Sequence, residues 1–271
     1  MPAHTRSGAA GPVLSVLMAA LDAEETLRPA VDSALAQSDE RLELIVIDDG
    51  SRVPVTETLA AVDDPRLRIV RHERNRGLSA ARNTGLRHAR APFAAQLDAD
   101  DLWEPDYSSA VLPRFEDPAV GLVYSNARLL GHPHGQELYI LDPSVHPLDR
   151  FPKFADANPI PSLTAMMRTE AVRALGGYAT WLRHAMDYHL YAKLICGGWR
   201  FDYVDRPLAS YRWPAPGRGM SWDTRTTELS ELKLWLAFAL RHPTVPGPRR
   251  QVRIRLGREL ARLTKRRGPS D

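Results

Sequence analysis

The stretch "AAQLDADDLWEP", residues 94–105, places three carboxylates within four positions directly behind an apolar run. Asp98, Asp100 and Asp101 repel one another at that spacing, so the cluster is either a solvated turn or the seat of a cation. Oxygen ligands at a rigid strand end suit Mg²⁺ or Mn²⁺, which leave several coordination positions to water and phosphate. A second acidic pair, Asp48 and Asp49, closes the run "LELIVI" and precedes Gly50, which allows a tight backbone. Asp187 stands alone near the start of a helical pattern, where the helix dipole favours its charged form.

These residues act together only if the fold gathers them. The first half of the chain alternates short apolar runs with helical patterns. Strands are expected over residues 14–18, 42–47, 67–70, 93–97 and 120–125. Asp22 and Glu25 have capping-box spacing ahead of a helix whose Leu27, Val31, Ala34 and Leu35 share one face. Further helices are expected over 55–62, 79–88, 169–175, 185–195 and 227–240. Such alternation with continuous apolar strands predicts a mostly parallel sheet covered on both faces, with ligands bound beyond the carboxyl ends of the strands. Both acidic clusters fall at those ends. Residues 132–161, rich in Pro and His, read as a long loop, and His132, His134 and His146 as part of its polar surface.

Bulk composition agrees. The chain has 271 residues, 44% hydrophobic and 25% charged, ordinary values for a globular protein. One cysteine, Cys196, excludes an internal disulfide framework and a Cys-based zinc site, and fits a cytoplasmic protein. No apolar stretch reaches the roughly 20 residues of a membrane span. The run "VLSVLMAAL" imitates a signal-peptide core, but the following "DAEE" favours a buried strand. The net charge of +3 hides a basic C-terminus, with nine Lys/Arg against two acids from residue 249 onward. A tail of this kind is a solvated helix or a peripheral membrane contact; no nucleic-acid partner is expected.

Five motifs in order resemble the family 2 glycosyltransferases of the GT-A fold. They are "SVLMAALDAEETLRPAVDSALAQ", "ELIVIDDGS", "NRGLSAARNTGL", "AQLDADD" and "RTEAVRALGGY…AMDYHLYAKLICGG". The resemblance implies an α/β GT-A domain over residues 1–242 with a basic tail over 243–271. Its donor half would run over about 12–126 and its acceptor half over about 127–222. It implies an inverting transfer of a sugar from a nucleotide-diphosphate donor to an acceptor hydroxyl of unknown identity. UDP is the favoured nucleotide, with dTDP and GDP as competitors.

The same resemblance distributes roles. Asp100 and Asp101 would touch the metal, Mn²⁺ or Mg²⁺, and the ribose, with Asp98 supporting. The residues alone do not divide these roles among the three acids. Asp49 would accept a hydrogen bond from a base ring N–H, while Asp48 contacts the nucleotide or holds the turn. Arg82, Arg212 and Arg218 would approach the diphosphate, the last two from a Pro/Gly-rich segment, 208–221, suited to a lid. Asp187 would be the catalytic base. Two departures stand out: Met186 where the family usually has Glu, and Ala19-Ala20-Leu21-Asp22 where it has an aromatic that stacks on the base. Ala19 and Leu21 are left as the apolar platform. The rival readings are a sugar nucleotidyltransferase, which needs a Gly/Lys-rich first loop that "AALDAEE" does not supply, and a non-catalytic nucleotide-sugar-binding protein.

Overall fold

The computed structural model describes residues 11–151, 153–156, 158, 160–213 and 224–265. In chain order its elements are β1 (Leu14–Ala20), α1 (Leu27–Leu35), β2 (Leu42–Asp48), α2 (Val55–Thr58), β3 (Leu67–Arg71), α3 (Leu78–His88), β4 (Phe93–Gln96), β5 (Leu102–Trp103) and α4 (Tyr107–Val111). There follow β6 (Val120–Leu130), α5 (Lys153–Asp156), β7 (Met166–Arg168), α6 (Thr169–Ala174), α7 (Met186–Cys196), β8 (Arg200–Arg212), α8 (Thr224–Arg241) and α9 (Pro248–Lys265).

All eight strands form one sheet in the order β3-β2-β1-β4-β7-β6-β8-β5. The first four are parallel; β1, β2 and β4 are almost continuously buried, whereas β3 is a half-buried edge strand. β7 then runs antiparallel to both β4 and β6, and β5 antiparallel to β8. The sheet is therefore wholly parallel in its N-terminal half and mixed beyond β4, where β6 and β8 are again parallel to each other. Side chains alternate between two cores. Leu17, Ile45 and Ile47 join Tyr188, Leu190, Leu194 and Trp235 on one face, while Val16, Met18 and Val46 join Val31, Trp103 and Tyr107 on the other.

Several expectations need correction. Asp22 does not cap α1, which begins at Leu27 with no side-chain cap. Asp22 instead adopts a left-handed backbone, φ 48°, and accepts hydrogen bonds from the Arg52 backbone N–H at 2.9 Å and Arg52 Nε at 3.1 Å. The expected strand at 120–125 continues to Leu130, pairing with β8 through register shifts at 125–128. The two-residue β5 is too short to carry a sequence signal. The basic tail is helical, as expected, but over 248–261 it packs on the body: Arg255 pairs with Glu231 of α8, and Gln251 donates to Asp156 of α5 at 2.7 Å.

Two glycines fix the approach of elements around the strand ends. A Cβ at Gly85 would stand 2.8 Å from Ile47 Cδ1, so α3 lies close against β1 and β2. Gly50, at φ +82°, would place a Cβ 2.6 Å from the Arg74 carbonyl carbon and the Asn75 nitrogen. Backbone cannot yield there as a flexible side chain would. Gly50→Ala is thus expected to cost about 2 kcal/mol or more, the left-handed penalty with the clash added. Urea denaturation of the two proteins measures this; a midpoint unchanged from the parent would show that the turn tolerates a side chain.

Candidate active site

Four parallel strands bring their carboxyl ends to one rim. Asp49 N–H donates to the Ala20 carbonyl at 2.9 Å, and Leu97 N–H to the Leu17 carbonyl at 3.1 Å, so the ends of β1, β2 and β4 stand side by side. The Asp98–Asp101 turn closes on a hydrogen bond from Asp101 N–H to the Asp98 carbonyl, 3.1 Å.

Arg82 enters this turn from α3. It is 3% exposed, and its guanidinium meets Asp98 Oδ1 at 2.6 Å while lying 5.7 Å over the Tyr178 ring. Burial opposes its charge, but Asp98, Tyr178 and Asp187 more than offset that, and its pKa lies above the ordinary arginine value. One buried cation thus faces an acid of the β4 turn and the acid of α7. The remaining members of the cluster are less well compensated. Asp100 is exposed to the cleft, and partial desolvation and the Asp98 charge raise its pKa. Asp101 is 1% exposed; burial first, then Asp98 and Asp100, raise it well above the usual carboxylate range. Its Oδ1 accepts from the Arg212 backbone N–H at 2.8 Å, and Arg212 Nε donates to the Asp100 carbonyl at 3.1 Å. The end of β8 is tied to the acidic turn in this way, with the Arg212 side chain exposed at the rim.

Asp187 lies in the first turn of α7, behind Ala185 in a left-handed conformation, φ 58°. Asp187 Oδ1 accepts from the Tyr188 N–H at 2.8 Å and Oδ2 from Asn158 Nδ2 at 3.4 Å. Desolvation raises its pKa, with Arg82 pulling the other way. Met186, in the position beside it, is buried in the core. Behind the acids, the Tyr178 hydroxyl donates to Gln96 Oε1 at 2.8 Å, and Gln96 Nε2 reaches the Ser162 carbonyl at 2.8 Å. Asn83 fastens α3 to the same segment by paired bonds of 2.8 Å with the Tyr178 backbone.

The β2 end is organised differently. Asp48 is fully buried and accepts from Ser51 N–H, Val55 N–H and Arg71, so it holds the turn. Asp49 Oδ1 accepts from Arg76 N–H at 2.9 Å and approaches His72 Nδ1 at 2.6 Å, and Oδ2 accepts from Gly77 N–H at 2.8 Å. With about four acceptor sites on a carboxylate, this leaves one. Leu21, 44% exposed, stands beside this turn, where Asp22 N–H donates to Ser51 Oγ at 3.1 Å, with Ala19 half-buried behind it.

The structure therefore brings Arg82, Asp98, Asp100, Asp101, Asp187 and Arg212 into one cluster, with Ala19, Leu21, Asp48 and Asp49 on the adjoining rim. Arg218 and most of the expected lid lie outside the described residues. Sequence reasoning missed His72, Tyr178 and Asn158. His72 has no spacing relation to Asp49; only the pairing of β2 with β3, sealed by His72 N–H to the Asp48 carbonyl at 2.8 Å, places it there. His132 is also more than loop surface, since its ring lies 4.4 Å from Trp213, edge to face.

The acidic turn fits a hard divalent cation, since its carboxylates are crowded, oxygen-only and short of positive charge. Among the described residues, no group of three or more His, Cys, Asp or Glu side chains is arranged to hold a metal ion by itself. Phosphate and water oxygens would have to fill the remaining positions.

Comparison with known proteins agrees with this geometry. The profile of Glycosyl transferase family 2 matches residues 15–175. The chain is 30% identical over 231 residues to succinoglycan biosynthesis protein ExoU of Rhizobium meliloti, covering 80% of this chain and 66% of that protein. It is 35% identical over 115 residues to ExoO of the same organism, covering 42% of this chain and 33% of that one. The chain thus spans between a third and two thirds of these curated relatives. Among solved structures, a mannosyltransferase from Pyrobaculum calidifontis in complex with GDP-Man and Mn²⁺ superposes with a TM-score of 0.67, at 23% identity over 90% of this chain and 68% of that one. S. aureus TarS in complex with UDP-GlcNAc gives 0.71 at 15% identity, over 86% of this chain and 67% of that one. At these identities the structural likeness is one of fold.

Removing Arg82 would leave Asp98 and Asp187 without their shared buried cation. Arg82→Met, close in length and apolar, is expected to destabilise the protein by about 3 kcal/mol. Chemical denaturation at pH 7 measures it; a loss below about 1 kcal/mol would mean that solvent, not Arg82, carries the acids.

Proposed function

The chain belongs to glycosyl transferase family 2, and from that premise we propose that it is an inverting, metal-dependent transferase of sugars from a nucleotide diphosphate, with UDP the favoured nucleotide. The observation that supports this best is the buried Arg82–Asp98 ion pair at 2.6 Å, with Asp187 in the field of the same guanidinium. It sets an acidic, cation-seeking turn and a candidate base around one cation.

In this reading the acceptor hydroxyl oxygen attacks the anomeric carbon while its proton passes to Asp187. The bond from that carbon to the diphosphate breaks, and its electron pair leaves on the phosphate oxygen. The transition state resembles an oxocarbenium ion, and the base is worth ~10²–10⁴-fold. When bound, Mn²⁺ or Mg²⁺ would supply charge neutralisation at the departing diphosphate. Asp100, exposed in the turn, would hold that ion; Asp98, fixed by Arg82, orients the turn; Asp101 anchors the end of β8. Arg212 presents its guanidinium to phosphate from the rim. Asp49 offers its remaining acceptor site to a base ring N–H above Leu21. The two neighbouring folds, crystallised with GDP-Man and with UDP-GlcNAc, support a nucleotide-sugar donor and leave the base to experiment.

Thermal unfolding against UDP, dTDP and GDP, each with Mn²⁺, Mg²⁺ or EDTA, tests donor and metal together. At about 100 Kd a ligand adds about 2.7 kcal/mol. One nucleotide is expected to stabilise the protein, UDP most, and only with metal present. Stabilisation undiminished by EDTA would overturn the metal assignment.

Asp187→Asn tests the base. Activity is expected to fall by ~10²–10⁴-fold while nucleotide binding persists. Because the folded pKa of Asp187 is raised above 3.8, the folded chain holds this proton more tightly than the unfolded chain. Ionising the group therefore lowers stability as pH climbs through the folded pKa. The Asp187→Asn variant should then be no less stable than the parent at pH 7. The acid limb of kcat/KM should lie above 3.8, activity being lost as pH falls through the folded value. A variant that retains full activity would remove Asp187 from the mechanism.

A further inference from the structure

The mechanism leaves the C-terminal helices α8 and α9 unused, yet their exposed residues are not random. On α8 the exposed positions are Arg225, Leu229, Lys233, Leu236, Leu240 and Arg241. The first five follow steps of four, four, three and four, a single stripe along the helix. Its opposite side supplies Leu234, Trp235 and Phe238 to the core. On α9 the exposed residues include a stripe of the same rhythm, Arg249, Arg253, Leu256 and Leu260, beside the exposed Arg250 and Arg258, while Gln251 and Arg255 face inward. Across the two helices ten Lys/Arg stand against three Glu. None of the three glutamates, Glu228, Glu231 and Glu259, is among the exposed residues, and Glu231 is taken up by Arg255.

Each helix therefore shows solvent a mixture of leucine and cation. A merely solvated helix interleaves both signs of charge and keeps its leucines inside; Leu240 is 74% exposed, Leu260 61% and Leu236 48%. The stripe on α8 ends at an open groove of about 1050 Å³ whose lining includes Leu240, Phe238, Arg241 and Trp181. Trp181, 52% exposed, adds an aromatic of the kind that settles at the boundary of water and hydrocarbon.

We propose that the α8–α9 face docks on an anionic phospholipid bilayer, with leucines and Trp181 entering the interface and arginines and lysines meeting the head groups. Charge complementarity selects this occupant. An apolar protein partner needs no cation excess, and a nucleic acid needs no exposed leucine stripe. Binding of this kind combines buried apolar area with attraction to anionic lipid. It does not depend on the donor, the metal or the transfer reaction.

Flotation of the full chain with vesicles tests it without substrate. The protein is expected to float with phosphatidylglycerol-containing vesicles, to remain behind with phosphatidylcholine alone, and to release in 0.5 M salt, a concentration set by roughly a 4 Å screening length. Arg249→Ala with Arg253→Ala should weaken partitioning at least tenfold, at about fivefold per cation. Leu236→Ser with Leu240→Ser should weaken it too, with the same melting temperature as the parent. Absence of flotation with anionic vesicles overturns the proposal. So does flotation unaffected by the leucine pair, or equal capture by duplex DNA at matched salt, either of which would reduce the face to a general polyanion binder.

Discussion

The acidic turn behind β4 depends on one buried cation among acids. Arg82 is nearly inaccessible to water, and its charge survives because Asp98 touches it at 2.6 Å and Asp187 shares its field. The two carboxylates come from distant parts of the chain, the β4 turn and the first turn of α7. A single guanidinium thus pairs with one of them and lies within the field of the other. The position of Arg82 follows from elements with no chemistry of their own. Gly85 lets α3 sink onto Leu17 and Ile47, and Asn83 clamps the same helix to the Tyr178 backbone. Packing, helix register and electrostatics agree at this one residue.

The two acidic strand ends look alike in sequence and differ in what satisfies them. Asp48 and Asp49 accept backbone N–H groups from their own turn and from the Arg76–Gly77 loop. Such carboxylates are structural in the first instance, bracing a fixed loop. Asp100 and Asp101 receive less and repel more, and both have raised pKa values. Acids left in that state are poorly compensated at a rigid site, which is the feature that supports the proposed divalent ion. The comparison between the two ends carries more weight than the presence of a DxD spacing.

Much of this is legible in the sequence, for identifiable reasons. Continuous apolar runs mark the parallel half of the sheet, because burial on both faces leaves no polar alternation. The acids stand at the ends of those runs, and the strand–helix order puts them on one rim. What stays hidden depends on contacts between distant segments. Antiparallel β7, only three residues long, carries no periodicity. The role of His72 follows from strand pairing, and that of Asn158 from a loop. The capping-box spacing at Asp22 misleads because a tertiary partner, Arg52, competes for the carboxylate. Local signals fail where long-range contacts are stronger.

Backbone strain supplies the last step. Among the described residues only two that are not glycine have positive φ, Asp22 at 48° and Ala185 at 58°. One follows β1, beside the turn that carries Asp48 and Asp49; the other precedes Asp187. Each conformation costs about 1–2 kcal/mol for an L-residue and persists only if its surroundings over-determine it. Asp22 is fixed by Arg52 and by Ser51 Oγ. Ala185 is fixed by Met186 buried behind it and by α7, whose His189 N–H returns to the Ala185 carbonyl at 3.0 Å. A relaxed backbone at Ala185 would turn the first residues of α7 and carry Asp187 away from Arg82. The buried methionine beside Asp187, the departure from the family pattern, is therefore part of what aims the carboxylate, an apolar anchor where a second acid would have added repulsion.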